Sequence, residues 1–455
     1  MLMFEGTDTH VHVSATAIFE AGSLLAPGGG LDMERICTYV ASRLHLVPHY
    51  RQLLAYTPIQ RHPIWVDDER FDVSYHVRHA ALPQPGTEAQ LKQLAGEIAS
   101  QALDKARPLW ELWFVEGLAE DRFAILAKIH HCMVDGVSGV GVLQTLLSPT
   151  PDATIEPAPR FRPRPAPELV DFLSDGVAEG ARVTSSLVRT VGDSLLRPLE
   201  TAEGLLDTAN AGLQTLRSGF TPTADTPLNQ PIGRQRRLDW RSLDLAEIRD
   251  LRKRLDGSVN DVVLTIVAGA VRQFLKQRRV KLKGLNFRVV VPVDTRSGPL
   301  DMSVSNQVAA WFLSMPVGER NPRRRFTRIR EQTRELKRTN AARGIESFLR
   351  FADWSGSTRL TFWGVNLASV VRPYNLIVTN VHGPPVRLYL LGAPLIEFAP
   401  HLPLFENQGL AVAALSYLDR VSIGVSGDRD VVPDLDAFAA AIDYSFDELR
   451  AAAQR

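Results

Sequence analysis

A mixed α/β chain folded as two domains is the architecture this sequence predicts, and three observations carry the prediction. At 455 residues the chain is too long for one ordinary core. Segments with strand alternation and segments with helical periodicity follow one another in each half. Between the halves, seven prolines fall from Pro149 to Pro167 in "PTPDATIEPAPRFRPRPAP", which neither a helix nor an inner strand tolerates. The predicted division is 1–148 for an N-terminal domain, 149–232 for a proline-rich linker with connecting helices, and 233–455 for a C-terminal domain.

The elements follow in order. "HVHVSATAIF" (His10–Phe19) alternates as a strand does. "GGGLDMERICTYVASRL" breaks on glycines and then takes helical spacing up to Pro48. "GTEAQLKQLAGEIASQAL" predicts a second helix with Thr87 as N-cap. "ELWFVEGL" and "RFAILAKIH" predict a hairpin turning at "AEDR", and a small-residue helix follows in "GVSGVGVLQTLLS". Past the linker, "ELVDFLSDGVAEGARVTSSLVRTVGDSLL" resumes helical spacing, with Leu187, Val188, Val191 and Leu195 on one face. "RRLDWRSLDL" reads as a strand, and "SVNDVVLTIVAGAVRQFLKQR" as a long apolar helix capped by Ser258. A buried strand in "NFRVVVPVDTR" and a charged helix in "NPRRRFTRIREQTRELKRT" come next. "NLIVTNVHGPP" is a strand stopped by Gly383 and two prolines. "LAVAALSYLDRVSIGVSGD" reads as a hairpin, and "DLDAFAAAIDYSFDELRAAA" as a closing helix.

Composition narrows the class. A formal net charge of +1 gives no electrostatic reason to expect a nucleic-acid partner. The two cysteines, Cys37 and Cys132, exclude a disulfide framework and a cysteine-rich zinc site, and they fit a reducing compartment. "MLMFEGTDTH" lacks the basic and apolar regions of a secretory signal. No apolar run approaches the roughly 18 residues a membrane span requires. The expected location is cytoplasmic, with the chain in solution or peripheral to the inner face of the cell membrane.

The chemistry concentrates in "KIHHCMVDGVSG" (Lys128–Gly139), which places His130, His131, Asp135 and Gly136 together at the end of a greasy strand. A metal site would need three or four ligands in tetrahedral reach, yet adjacent strand residues point to opposite faces and no His-x3-His or Cys-x2-Cys pair accompanies them. No metal is therefore expected. A Ser-His-Asp triad lacks its Gly-x-Ser-x-Gly elbow, because "GVSGV" around Ser138 has the wrong spacing. A phosphate-cradling glycine loop is missing too. A general base remains: histidine titrates near neutrality, and an aspartate in the following turn would hold the loop that aims it.

"HHCMVDG" resembles the HHxxxDG active-site motif of the chloramphenicol acetyltransferase-like superfamily, which includes CoA-dependent acyltransferases and peptide-synthetase condensation domains. "PIWVDDERFDVSYHVRHAALPQPG", "PLWELWFVEGL", "SVNDVVL", "VPVDTR" and "NVHGPP" resemble, in order and spacing, the bacterial wax ester synthase/diacylglycerol acyltransferase family. The likeness covers nearly the whole chain. Two departures stand out. The family usually has more residues before the segment resembling "HVHVSATAIF", so either an early pocket-shaping helix is missing or the start is assigned late. "PVDTR" and "SNQ" (Ser305–Gln307) also differ from the usual serine- and glycine-bearing versions, which bears on substrate preference.

The resemblance implies two chloramphenicol acetyltransferase-like domains, with mixed sheets flanked by helices and an active-site tunnel between them. It implies His131 as the base, with acyl-CoA entering from one side and diacylglycerol or a long-chain alcohol from the other. No cofactor is implied, since acyl-CoA is a substrate. His130, Asp135, Gly136 and Arg296 are the implied supports of the catalytic loop, with Asp135 pairing Arg296. Asn260, Asp261 and Asn380 are the candidates to line the tunnel, although Asn260 and Asp261 also fit simple helix-start bonding and Asn380 a strand-end turn. Lipid substrates imply a peripheral membrane or lipid-droplet surface, with the Glu168–Leu196 helix as its candidate contact; the basic helix from Asn321 reads first as a solvated face, or else as a contact for CoA phosphates or anionic lipid. Three rivals stay open: the His-x4-Asp pattern of glycerol-phosphate acyltransferases, a carrier-protein-dependent condensation domain, and an inactive binding module.

Overall fold

Period-two alternation sorts the strands of this chain into two six-stranded sheets. In the computed structural model, residues 5–57, 63–133, 141–152, 154–165, 223–294, 308–338 and 374–454 are described. The first half contains β1 (His12–Glu20), α1 (Met33–Arg43), β2 (Gln52–Tyr56), β3 (Pro63–Asp67), α2 (Val73–His76), β4 (Val77–Ala81), α3 (Glu88–Ser100), β5 (Trp110–Leu118), β6 (Arg122–His130) and α4 (Gly141–Leu146). The second contains β7 (Arg236–Asp244), α5 (Leu245–Arg254), α6 (Val259–Gln277), β8 (Arg288–Asp294), β9 (Val308–Ser314), α7 (Pro322–Arg338) and β10 (Leu376–His382). It continues with β11 (Tyr389–Leu390), β12 (Ala393–His401), β13 (Leu410–Tyr417), β14 (Arg420–Asp428) and α8 (Leu435–Ala453).

The first sheet runs β11-β12-β1-β6-β5-β4 and the second β7-β14-β13-β10-β8-β9, with β2-β3 a separate hairpin. Both large sheets mix parallel and antiparallel pairs, since β4–β5, β8–β10 and β10–β13 run parallel. On β6, Phe123, Ile125, Ala127 and Ile129 join one core, while Ala124 and Leu126 turn to the opposite face, where Leu238 and Trp240 of β7 meet them. Thr87 and Ser258 cap α3 and α6, each in a reciprocal capping box.

Residues 233–455 do not keep their strands in one sheet: β11 and β12 cross over, and β12 pairs antiparallel with β1, Ser14 opposite His401. The second half thus supplies one edge of the first sheet. Pro394 and Pro400 make this stretch unlike an inner strand, but β11 faces only Ala393 and Pro394, so the remaining length has no ladder to break on that side. The crossing strand packs on β14, whose Val421, Ile423 and Val425 enter the large core while Ser422, Gly424 and Ser426 alternate with them. A Cβ added to Gly424 would sit 1.7 Å from the Pro400 carbonyl oxygen, so only glycine permits this approach.

The basic helix α7 is less solvated than its composition suggests. Arg325 is 1% exposed and pairs with Glu448 of α8 at 3.2 Å. Phe326 and Ile329 enter the core, and Arg330 and Arg334 donate to backbone carbonyls just past α5. Residues 154–165 of the linker have no regular structure but are tied down: Arg164 binds Asp67 at the base of the β2–β3 hairpin, and Arg51 lies 4.1 Å over the Phe161 ring. The Glu168–Leu196 helix expected after it lies outside the described residues. Among the described residues, no single helix is long and apolar enough to cross a membrane.

Candidate active site

Strand β6 delivers the histidine pair because its apolar run buries it between β1 and β5. At its end the backbone is clamped from both sides. The His130 N–H donates to the Leu109 carbonyl and the His131 N–H to the Val11 carbonyl, both at 2.9 Å. His131 then opens a short 3-10 turn, His131–Met133. Continued strand geometry would send the two side chains to opposite faces.

His130 is 1% exposed and lies beside His12, its partner across the β1–β6 ladder, with ring centroids 5.8 Å apart. His10 stacks on His12 at 5.5 Å. Further along the same face of β6, the buried Lys128 ammonium pairs with Glu111 at 3.0 Å and donates to the Ile98 and Gln101 carbonyls at the C-terminal end of α3. Glu5 reaches this face from the N-terminal segment. One of its oxygens lies 2.8 Å from the Lys105 ammonium and 3.6 Å from His130 Nε2. The second distance is longer than a formed hydrogen bond, so Lys105 is the firmer hold. Arg236, ion-paired with the buried Asp428 at 3.1 Å, donates to the Asp8 carbonyl and fastens the same N-terminal segment to the second sheet.

Burial sets the charge states. It pushes the His131 imidazole below its ordinary value, with its own backbone carbonyl opposing and His130 reinforcing the shift. Burial brings His12 down to about 2, helped by the Lys128 charge. It raises the Cys132 thiol to about 12, so the sulfur stays protonated. Burial would raise the Glu5 carboxyl, but His130 and Lys105 outweigh it and bring it down to about 2. The result is two neutral histidines and an ionised glutamate around the strand end. Among the described residues, no three His, Cys, Asp or Glu converge as metal ligands.

Of the residues the sequence nominated, His130 and His131 stand together at the end of β6. Asp135, Gly136 and Arg296, with the expected Asp135–Arg296 pair, lie outside the described residues. Asn260 is half-buried in the first turn of α6, and Asn380 half-buried in β10 opposite Ala414. Asp261 makes the helix-start bonds that the sequence offered beside a tunnel role. One of its oxygens accepts from the Ser258 N–H and hydroxyl, and the other from the Thr333 hydroxyl of α7 at 2.7 Å. The sequence reading passed over Glu5, His12 and Cys132. The "HVHV" alternation does put His10 and His12 on one strand face, but only the ladder register brings that face to His130.

Comparison with known proteins gives a consistent picture. Residues 1–263 match the family model described as the wax ester synthase/diacylglycerol acyltransferase catalytic domain, and residues 304–450 match the C-terminal domain of the same family. A Mycobacterium tuberculosis protein named as a diacylglycerol O-acyltransferase is 31% identical over 92% of this chain and 83% of its own length. A second from that organism, likewise named, is 29% identical over 100% of this chain and 95% of its own. Among solved structures, the wax ester synthase/diacylglycerol acyltransferase of Marinobacter aquaeolei VT8 is similar in fold, with a TM-score of 0.68, 24% identity and coverage of 100% and 98% of the two chains. The first condensation domain of the calcium-dependent antibiotic synthetase shares the fold at a TM-score of 0.56 and 13% identity, covering 98% of this chain and 92% of that one.

Proposed function

The chain belongs to the wax ester synthase/diacylglycerol acyltransferase family and is an acyltransferase, and we propose that it transfers an acyl group from acyl-CoA to the free hydroxyl of diacylglycerol, and to long-chain alcohols, with His131 as the general base. The observation that carries this reading is the His131 ring at the end of a buried strand, where burial holds it neutral. A neutral imidazole can take a proton; an imidazolium cannot.

The step balances without a covalent enzyme intermediate. The acceptor oxygen attacks the thioester carbonyl as His131 removes its proton. The tetrahedral oxyanion then collapses, the C–S bond breaks, and the proton on His131 passes to the departing CoA thiolate. Thiolates leave readily, so little acid assistance is needed. Holding two lipids in attack geometry supplies the other large part of the acceleration, and exclusion of water protects the thioester. The chemistry so written calls on acyl-CoA as substrate and on no cofactor. The acceptors are lipids, so the enzyme meets them at a membrane or lipid-droplet surface.

The test supplies labelled palmitoyl-CoA with diacylglycerol in vesicles, or with hexadecanol, and separates triacylglycerol from wax ester. Ester formed from free acyl-CoA is the expected outcome. Ester formed only when the acyl group is loaded on a carrier protein would favour the condensation-domain reading. With the competent acceptor, kcat should rise with pH and level off once the base is neutral. Because burial lowers the His131 value, the half-maximal point belongs below pH 6.5. A rising limb centred well above pH 7 would count against His131 as the group observed.

A further inference from the structure

We propose that Cys132 and Glu5 are positioning residues which hold His130 in its neutral Nε2–H tautomer and, through it, fix the turn that presents His131. The inference rests on the reading of His131 as base, and its argument is geometric. His130 Nδ1 lies 3.1 Å from the Cys132 backbone nitrogen and 2.8 Å from the Cys132 sulfur. A backbone N–H can only donate, so Nδ1 carries a lone pair and not a proton. Its sulfur neighbour then acts as an S–H donor to that lone pair, as a thiol held protonated by burial can. The ring proton is left on Nε2, which is buried without a hydrogen-bond partner among the described residues and lies 3.6 Å from the Glu5 carboxylate. Lys105 holds that carboxylate in place at 2.8 Å.

The ring is therefore held by hydrogen bonds at Nδ1 and faces the Glu5 carboxylate at Nε2, and the backbone on either side is gripped as well, by Leu109 and Val11. His131 is the next residue along. Among the described residues its buried Nδ1 has no hydrogen-bond partner. What orients the base is the backbone turn, and what pins the turn is the ring of His130 hooked onto Cys132, two residues on. Misplacing a catalytic group by about 1 Å can cost roughly 10²-fold in rate, so a hook acting through the backbone reaches the chemistry without touching substrate. The other groups that face His130 leave this assignment intact: His12 is edge-on to it, His10 stacks behind His12, and Lys128 is engaged with Glu111.

Two measurements test this. Nitrogen-15 NMR of histidine-labelled protein, with the His130 signals assigned by their loss in His130→Asn, reads the tautomer directly and independently of any activity. Nδ1 bare and Nε2 protonated is expected at the pH of the activity assay; a protonated Nδ1 overturns the proposal. Kinetics then compare Cys132→Ala, which removes the donor, with Cys132→Ser, which restores one. Cys132→Ala should lower kcat by about 5- to 50-fold, within the range expected of a displaced base, at unchanged KM for acyl-CoA and unchanged melting temperature. Cys132→Ser should recover most of that loss, and Glu5→Gln should keep more activity than Glu5→Ala. Wild-type kcat in Cys132→Ala, or a loss that serine does not recover, overturns the hook. Should acyl transfer survive His131→Ala, the base assignment fails while the NMR result still decides the tautomer.

Discussion

His131→Ala should lower acyl transfer by at least ~10²-fold, the usual worth of a general base, while leaving the melting temperature of the protein near wild type. The two halves of that expectation have separate causes. The ring carries out the proton transfer, so its loss forces the acceptor hydroxyl to attack unassisted. It contributes little to the fold, because the residue is only half-buried and its buried Nδ1 has no hydrogen-bond partner among the described residues. His130→Ala differs on both counts. That ring is buried and gripped by Cys132, so its removal should cost stability as well as rate. Initial rates with saturating acyl-CoA, read beside thermal unfolding of both variants, separate the roles. A silent His131→Ala beside a dead but folded His130→Ala would reverse the assignment.

The largest expected loss of stability lies away from the site, at Gly424. Alanine there would push its methyl to 1.7 Å from the Pro400 carbonyl oxygen. That oxygen is backbone, in the strand that ties the second half of the chain to the first sheet, so no side-chain rotation relieves the clash. β12 and β14 must separate. Overpacking commonly costs about 1–3 kcal/mol and occasionally more; a backbone collision at a junction belongs at or beyond the upper end. The gain of roughly 0.4–1 kcal/mol from a stiffer unfolded chain does not offset it. Gly28→Ala is the control, since a Cβ there meets nothing within 4 Å. Urea unfolding should show a clear drop in midpoint for Gly424→Ala and almost none for Gly28→Ala. Equal midpoints would mean that the two strands do not meet so closely.

Local signals in the sequence and the structure agree where the interactions are local. The Thr87 and Ser258 caps are visible in three-residue patterns, because a capping box needs only neighbours. The β6 strand and its terminal histidines were legible for the same reason: an apolar run ends and polar residues begin. What escaped depends on long-range register. β12 carries two prolines, and its pairing with β1 joins residues far apart in the chain, which no periodicity announces. The Glu5–His130–Cys132 contacts need the β1–β6 ladder and the N-terminal segment in place before they exist. Asp261 shows how a local reading can compete with a functional one. "SVND" is a helix start, and the Thr333 contact that completes the carboxylate's partners comes from α7. Arg325 is the converse case: within a run of arginines it is the one buried against Glu448, which composition alone does not distinguish.

Direct transfer between two bound substrates, with a histidine as base, leaves no acylated enzyme at any stage. Rapid quenching of the enzyme with labelled palmitoyl-CoA, with and without acceptor, tests it most directly. No label should become attached to protein in the absence of acceptor, and with acceptor the labelled ester and free CoA should appear together in equal amounts from the first turnover. Label bound covalently to the protein before acceptor is added, and chased into ester afterwards, would contradict it.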